Sequence, residues 1–252
     1  MQIGLQLYTV REEAAKDFTG TLSRVAEMGY KGVELAGYGN LKPGELASTL
    51  KSNGLQVAGS HVGIEQLDKH LDEHIEMSLA IGNRYLICPW LDKAQYETMD
   101  ALKHTASILE QAADQAGKHG IQIVYHNHEF EFTTAVAGKT VHDWMFELVP
   151  SSKLLAELDV CWIQYADFEP LDVIVQHAKR LPLIHYKDLK RTPEGPLTVE
   201  LGQGELDLVA IARTAEEIGV EWLIVEQDNT QRCAMESSAA NLAWIKNHLQ
   251  LV

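Results

Sequence analysis

The chain has 252 residues, 46% of them apolar, which is enough to bury a sizeable core. Its formal net charge of −15 repels phosphate backbones and anionic lipid surfaces, so nucleic acid and membrane are disfavoured as partners. No stretch is apolar and long enough to span a bilayer, and Cys88, Cys161 and Cys233 form no CxxC pair, so the expected setting is reduced and cytoplasmic.

Residues 2–8 read as a first strand and not as a signal peptide. One unit then recurs, in which a helical pattern ends at Gly and a short β-branched run follows. The joints are Gly29 before Val33-Glu34-Leu35, Gly54 before Val57-Ala58, Gly82 before Tyr85-Leu86-Ile87, Gly120 before Ile121-Gln122-Ile123-Val124 and Gly219 before Leu223-Ile224-Val225. Gly suits the left-handed position that closes a helix. The runs lack clean alternation, as parallel strands buried on both faces do. Leu154–Asp159 and Leu183–Tyr186 complete a set of eight strands. Helical patterns fall at 11–28, 43–53, 64–81, 94–118, 139–149, 169–179, 207–218 and 233–249. Eight alternating pairs predict an α/β fold, one (β/α)8 TIM barrel over residues 1–252. An open doubly wound sheet would carry a Gly-rich phosphate loop after the first strand. Leu7-Tyr8-Thr9-Val10-Arg11 contains neither GxGxxG nor GxxxxGK[ST]. The stretch 188–206 is the longest irregular one and suits a mobile active-site loop.

In such barrels chemistry gathers where strands end. The ends here carry Glu34, Ser60-His61, the run Tyr125-His126-Asn127-His128-Glu129-Phe130-Glu131-Phe132, Asp159, His185 with Lys187 and Asp188, and Glu226 with Asp228. The opposite ends are poor in such groups. Asp, His and Glu from neighbouring strand ends make a mixed nitrogen and oxygen cage for one divalent metal, Mn2+, Zn2+, Co2+ or Fe2+ in preference to Mg2+. Such an ion would polarise a sugar carbonyl while a nearby carboxylate or His removes the α proton. Plainer roles compete at single positions. His61 could simply pack or cap, Asp159 could cap the turn at Val160-Cys161-Trp162, and Glu226 could pair with Lys187. His70, His74, His104, His119, His142, His177 and His248 fall in helical patterns, where surface or packing roles are expected. Trp90, after Pro89, is placed on the pocket wall.

Taken together, the segments Gly29–Glu34, Ser60-His61, Tyr125–Phe132, Leu158-Asp159, Ile184–Leu189, Leu201–Asp207 and Val225-Glu226 resemble the xylose isomerase-like barrels, in the sugar phosphate isomerase/epimerase branch. The resemblance spans nearly the whole chain. It implies a metal held by Asp159, His185 and Glu226, with His126 where relatives often have Glu and Glu129 as a possible substitute. It implies a sugar isomerase or epimerase working through an enediolate. Glu226, His126, His128 and Lys187 would then be catalytic, and Glu34, His61, Trp90, Asn127 and Trp162 would bind substrate. The His at strand five also fits a lyase of the same architecture, similar to inosose dehydratases or 3-keto-sugar eliminases, with His126 or His128 as base. A sugar-binding barrel without activity is the third class. The three-zinc nucleases of the superfamily need His ligands where this chain has Cys88-Pro89-Trp90 and Trp162. The expected partner is a small sugar. Gly202-Gln203-Gly204 could offer amides to a phosphate. Barrels of this kind commonly associate, so a homo-oligomer is compatible with the sequence.

Overall fold

Short apolar runs alternate with amphipathic helices along the chain, and in the computed structural model, which describes residues 1–249, those runs close on themselves. The barrel strands are β1 (Gln2–Gln6), β2 (Gly32–Leu35), β3 (Gln56–His61), β4 (Tyr85–Cys88), β5 (Gln122–His126), β6 (Leu154–Asp159), β7 (Leu183–Tyr186) and β8 (Trp222–Val225). Each pairs in parallel with its neighbours in chain order, and β8 pairs with β1 to leave no edge. This is the expected (β/α)8 barrel. The five joint glycines all close helices in the left-handed conformation, Gly54 for example at φ +65°.

The side-chain period of two sorts each strand into an outward and an inward set. Outward residues such as Leu5, Leu35, Leu158, Ile184 and Leu223 pack against helix residues including Leu22, Val25, Leu46 and Ile211. Leu86, Ile123 and Leu154 do the same against Leu102 and Leu109. A separate apolar cluster fills the barrel interior: Ala58, Tyr85, Ile87, Val124, Leu183, Trp222 and Ile224, with Leu155 against it. Trp222 forms the floor. A Cβ on Gly32 would stand 2.7 Å from its ring, so that position has room only for Gly. Two residues further along the same strands, and hence on the same inward face, stand His126, Glu157, His185 and Glu226.

Two helical patterns are interrupted. The first breaks at Asp17, whose carboxylate accepts from the Gly20 amide and starts a new helix, Phe18–Met28. The third breaks at His70. A helix at Val160–Tyr165 follows β6 directly; its six residues are too few to leave a clear periodic pattern in the sequence. The stretch 188–206 is not irregular throughout. Residues Asp188–Thr192 and Gly195–Val199 pair as an antiparallel hairpin.

His142 and His177 are buried side by side against Phe146, with ring centroids 4.9 Å apart. Burial, aided for His177 by Arg180, lowers the His177 pKa to about 4 and that of His142 well below its usual value. The unfolded chain therefore binds more protons between about pH 6.5 and 4. Their contribution is complete above pH 6.5 and is lost as pH falls through that window. A His177→Leu variant should show a flatter fall of Tm with acid between pH 6.5 and 4 than the parent. Parallel curves for the two proteins would rule this pair out as an acid sensor.

Candidate active site

The inward face of the strand ends carries two stacked tiers of polar groups. Gln6, Glu34, His61, His126, Glu157 and His185 form the lower tier. Glu34 Oε2 accepts from Gln6 Nε2 at 2.6 Å, and lies 2.6 Å from His185 Nε2 and 2.8 Å from His61 Nε2. Glu157 Oε2 lies 3.0 Å from His126 Nδ1 and 3.3 Å from both His61 Nε2 and His185 Nε2. The upper tier follows from the same period of two. Asp159, Lys187 and Asp228 each stand two residues beyond Glu157, His185 and Glu226. Lys187 Nζ is 2.9 Å from Asp159 Oδ2, 2.7 Å from Glu226 Oε2 and 3.0 Å from Asp228 Oδ2.

His185 joins the tiers, because its Nδ1 lies 2.9 Å from Glu226 Oε2 while Nε2 faces Glu34. His126 joins them too, with Nδ1 on Glu157 and Nε2 3.9 Å from Asp159 Oδ2. Burial alone would lower the His185 pKa, but Glu157, Glu34 and Glu226 outweigh it and hold it well above the usual value. Burial opposes ionisation of Glu34 as well, yet His61 and His185 hold it well below the carboxylate range. Burial and the neighbouring Glu34 charge push Glu157 up to about 8. Burial lifts Asp159 to about 6 against the pull of Lys187. Glu226 is lowered, since Lys187 and His185 overcome its burial. Burial would neutralise Lys187, but Asp159, Asp228 and Glu226 keep it charged, with its pKa well above normal.

A cavity of about 520 Å³ opens over the tiers, within the usual size for a small-molecule site. Tyr8, His61, Trp90, His126, His128, Glu226 and Asp228 are on its wall. Tyr8 and Trp90 stand at the mouth, 45% and 50% exposed. A groove of about 690 Å³ lies at the other end of the barrel, beside Lys51, Arg84, Glu221 and Trp222, and there Arg84 is already paired with Glu221. The chemistry, not the volume, marks the candidate site.

The residues expected from the sequence fall into different places. His61, Trp90, His126, His128 and Glu226 meet at the cavity. Glu34 is fully buried in the lower tier, away from the cavity wall. Lys187 is fully buried as well and is spent on three carboxylates. Asn127 clamps β5 to β6: its side chain accepts from the Asp159 amide at 3.0 Å and donates to the Asp159 carbonyl at 3.3 Å. Trp162 is not on the cavity wall; its ring is 5.3 Å from Lys187 Nζ and 5.9 Å from the His128 ring. Burial and Lys187 depress the His128 pKa to about 3, which leaves it neutral and weakly basic. The plainer roles of Asp159 and Glu226 are both seen. Asp159 Oδ1 accepts from the Cys161 and Trp162 amides and caps the next helix, and Glu226 does pair with Lys187.

Asp188 lies outside the tiers. Its carboxylate accepts from the amides of Leu189, Gly202, Gly204 and Leu206 at 2.8 to 3.2 Å. The amides expected to face a phosphate are therefore occupied by the chain's own anion. The same bonds tie down the hairpin loop that the sequence suggested was mobile. Glu157 and Gln6 were not singled out from the sequence. For Glu157 the usable signal is its place two residues before Asp159 in an otherwise apolar strand.

Two sets of donors lie close enough to share an ion. Asp159, His185 and Glu226 form one, and His61, His126, Glu157 and His185 the other, with ligand atoms in each set within 4.8 Å of one another. Glu129 and His128 belong to neither. The upper tier opposes three carboxylates with one ammonium, so its charge and its mixed N/O donors fit a divalent cation.

Among known proteins, an inosose dehydratase from Lacticaseibacillus casei is 23% identical over 248 residues, covering 84% of this chain and 82% of the relative. The crystal structure of a sugar phosphate isomerase/epimerase from Parabacteroides distasonis superposes with a TM-score of 0.84 at 22% identity, over 97% of this chain and 93% of that one. An L-ribulose 3-epimerase superposes with a TM-score of 0.77 at 16% identity, over 99% and 94% of the two chains. At these identities the superpositions establish the fold alone. The model of the xylose isomerase-like TIM barrels matches residues 22–248, and the chain belongs to that family.

Proposed function

We propose that the chain is a metal-dependent lyase that removes water from a polyhydroxylated ketone. The observation that carries this reading is the asymmetry of the cavity. Ionised Glu226 stands on the β8 side, and the facing wall is made of imidazoles, His61, His126 and His128, with no carboxylate. A symmetric two-carboxylate epimerisation lacks its second base there. Asp159, His185 and Glu226 would hold the ion, with His126 Nε2 as a fourth donor. When bound, that ion supplies Lewis-acid polarisation of the carbonyl.

Glu226 takes the proton from the carbon next to the carbonyl. His61 donates a proton to the departing β-hydroxyl, which leaves as water. Its Nε2 is held between Glu34 and Glu157, which favours the imidazolium, and Nδ1 remains for the cavity. Burial alone would lower its pKa, but these two carboxylates raise it to about 9. Tyr8 and Trp90 offer rings on which the apolar face of a sugar or cyclitol can stack. Among the described residues no Lys or Arg borders the cavity, which favours an unphosphorylated substrate. The inosose dehydratase names of the relatives agree with this chemistry.

Isomerisation or epimerisation shares the first proton abstraction and remains the other outcome. Protein stripped by chelator and reloaded with Mn2+, Co2+ or Zn2+, then mixed with inososes and keto-sugars in deuterated water, separates the two by product NMR. Loss of water supports the proposal. An unchanged formula with deuterium at the α carbon replaces it with an isomerase, and full turnover without metal removes both.

A further inference from the structure

One carboxylate of the lower tier has no part in the proposed reaction. Glu157 is fully buried, and its Oε2 lies 3.0 Å from His126 Nδ1. When ionised, Glu157 can only accept, and His126 then carries its proton on Nδ1. The bare Nε2 then points to the upper tier, 3.9 Å from Asp159 Oδ2. We propose that Glu157 is a positioning residue acting through His126, fixing the tautomer that makes Nε2 a metal donor and lending that imidazole the negative charge a carboxylate ligand at this strand end would bring. Carboxylates hydrogen-bonded to the far nitrogen of a ligand His have this effect generally: they orient the ring and raise its basicity. The inference rests on the reading of the upper tier as a metal site.

The local chemistry favours this role over a second ion among His61, His126, Glu157 and His185. The lower tier sets two carboxylates, Glu34 and Glu157, against three imidazoles, each within 3.0 Å of one of them. The upper tier sets three carboxylates against Lys187, with only the shared His185 reaching them from below, so the unbalanced negative charge is above. His185 also could not serve both sets except by bridging through its two nitrogens.

The test is a double-mutant cycle read as metal affinity, with Mn2+ or Co2+ titrated against a chromophoric chelator. Glu157→Gln keeps the shape and removes the charge, and it should weaken binding by roughly 10- to 100-fold. His126→Glu places a carboxylate directly at the strand end. In that background Glu157→Gln should change affinity by less than about threefold, because no imidazole is left to orient. The Co2+ absorption spectrum should shift in the single Glu157→Gln variant and not between the two His126→Glu proteins. Should Glu157→Gln fail to fold, Glu157→Asp keeps the charge, retracts it by one methylene and serves in the same cycle with a smaller loss. Unchanged affinity in Glu157→Gln overturns the proposal. So does an equal loss in both backgrounds, which would mean a general loosening of the tier, and so do two ions per wild-type chain. A wild-type chain that binds no ion defeats the metal site itself along with this role. Intact coupling without elimination defeats only the proposed reaction.

Discussion

An Asp159→Asn variant is expected to lose its divalent ion and about 1,000-fold or more of kcat/KM while staying folded. Asp159 has two separate tasks, and Asn keeps one of them. Its Oδ1 caps the helix after β6 by accepting from Cys161 and Trp162, which an amide oxygen does equally well. Its Oδ2 faces Lys187 Nζ at 2.9 Å, His185 Nδ1 at 3.8 Å and His126 Nε2 at 3.9 Å, where the proposed cation would need an anion. A 1,000-fold loss corresponds to about 4 kcal/mol of transition-state stabilisation, the scale of removing a preorganised charge from a buried site. Thermal unfolding and chelator competition measure the two tasks independently. Activity within tenfold of wild type would remove Asp159 from the ligand set.

Replacing Lys187 by Met should have the largest effect on stability. The ammonium is fully buried among Asp159, Glu226 and Asp228. Met fills similar space but leaves three carboxylates with only His185 to offset them. Removing one partner from a buried ion cluster costs about 3–5 kcal/mol. In a chain of this size that lowers Tm by roughly 10 °C. A divalent ion binding the upper tier restores positive charge there, so saturating Mn2+ should raise Tm more in Lys187→Met than in the wild type. Equal metal-induced shifts in the two proteins would mean that the ion binds elsewhere, and an unchanged metal-free Tm would mean that the carboxylates are protonated in the folded state.

The strand-five histidine draws these expectations together. In the sequence it is a departure, a neutral residue where the resemblance implies a Glu. In three dimensions it has a carboxyl group behind it, because Glu157 arrives from β6 at 3.0 Å. His128 appears equivalent in the sequence. It differs in space, where burial near Lys187 leaves it a weak base. Of the three imidazoles on that wall, His61 meets Glu34 and Glu157 through the same nitrogen, Nε2, at 2.8 and 3.3 Å.

The sequence by itself determined the barrel. Helix-closing glycines such as Gly54 and Gly219, and apolar runs such as Leu223-Ile224-Val225, are local signals that need no distant partner to be read. It also marked the end of the barrel where chemistry gathers, because polar groups beyond an apolar strand show in one dimension. Only the tertiary structure decided what each group faces. Glu34 and Lys187 look alike as polar strand-end residues, yet barrel closure turns both inward and spends them on neighbours from other strands, His185 and Asp159 among them. Gly202 and Gly204 look free to hold a phosphate until the hairpin folds back and gives their amides to Asp188. Contacts of this kind join residues far apart in the chain. Their partners are set by strand register and barrel closure, which local patterns of residues do not encode.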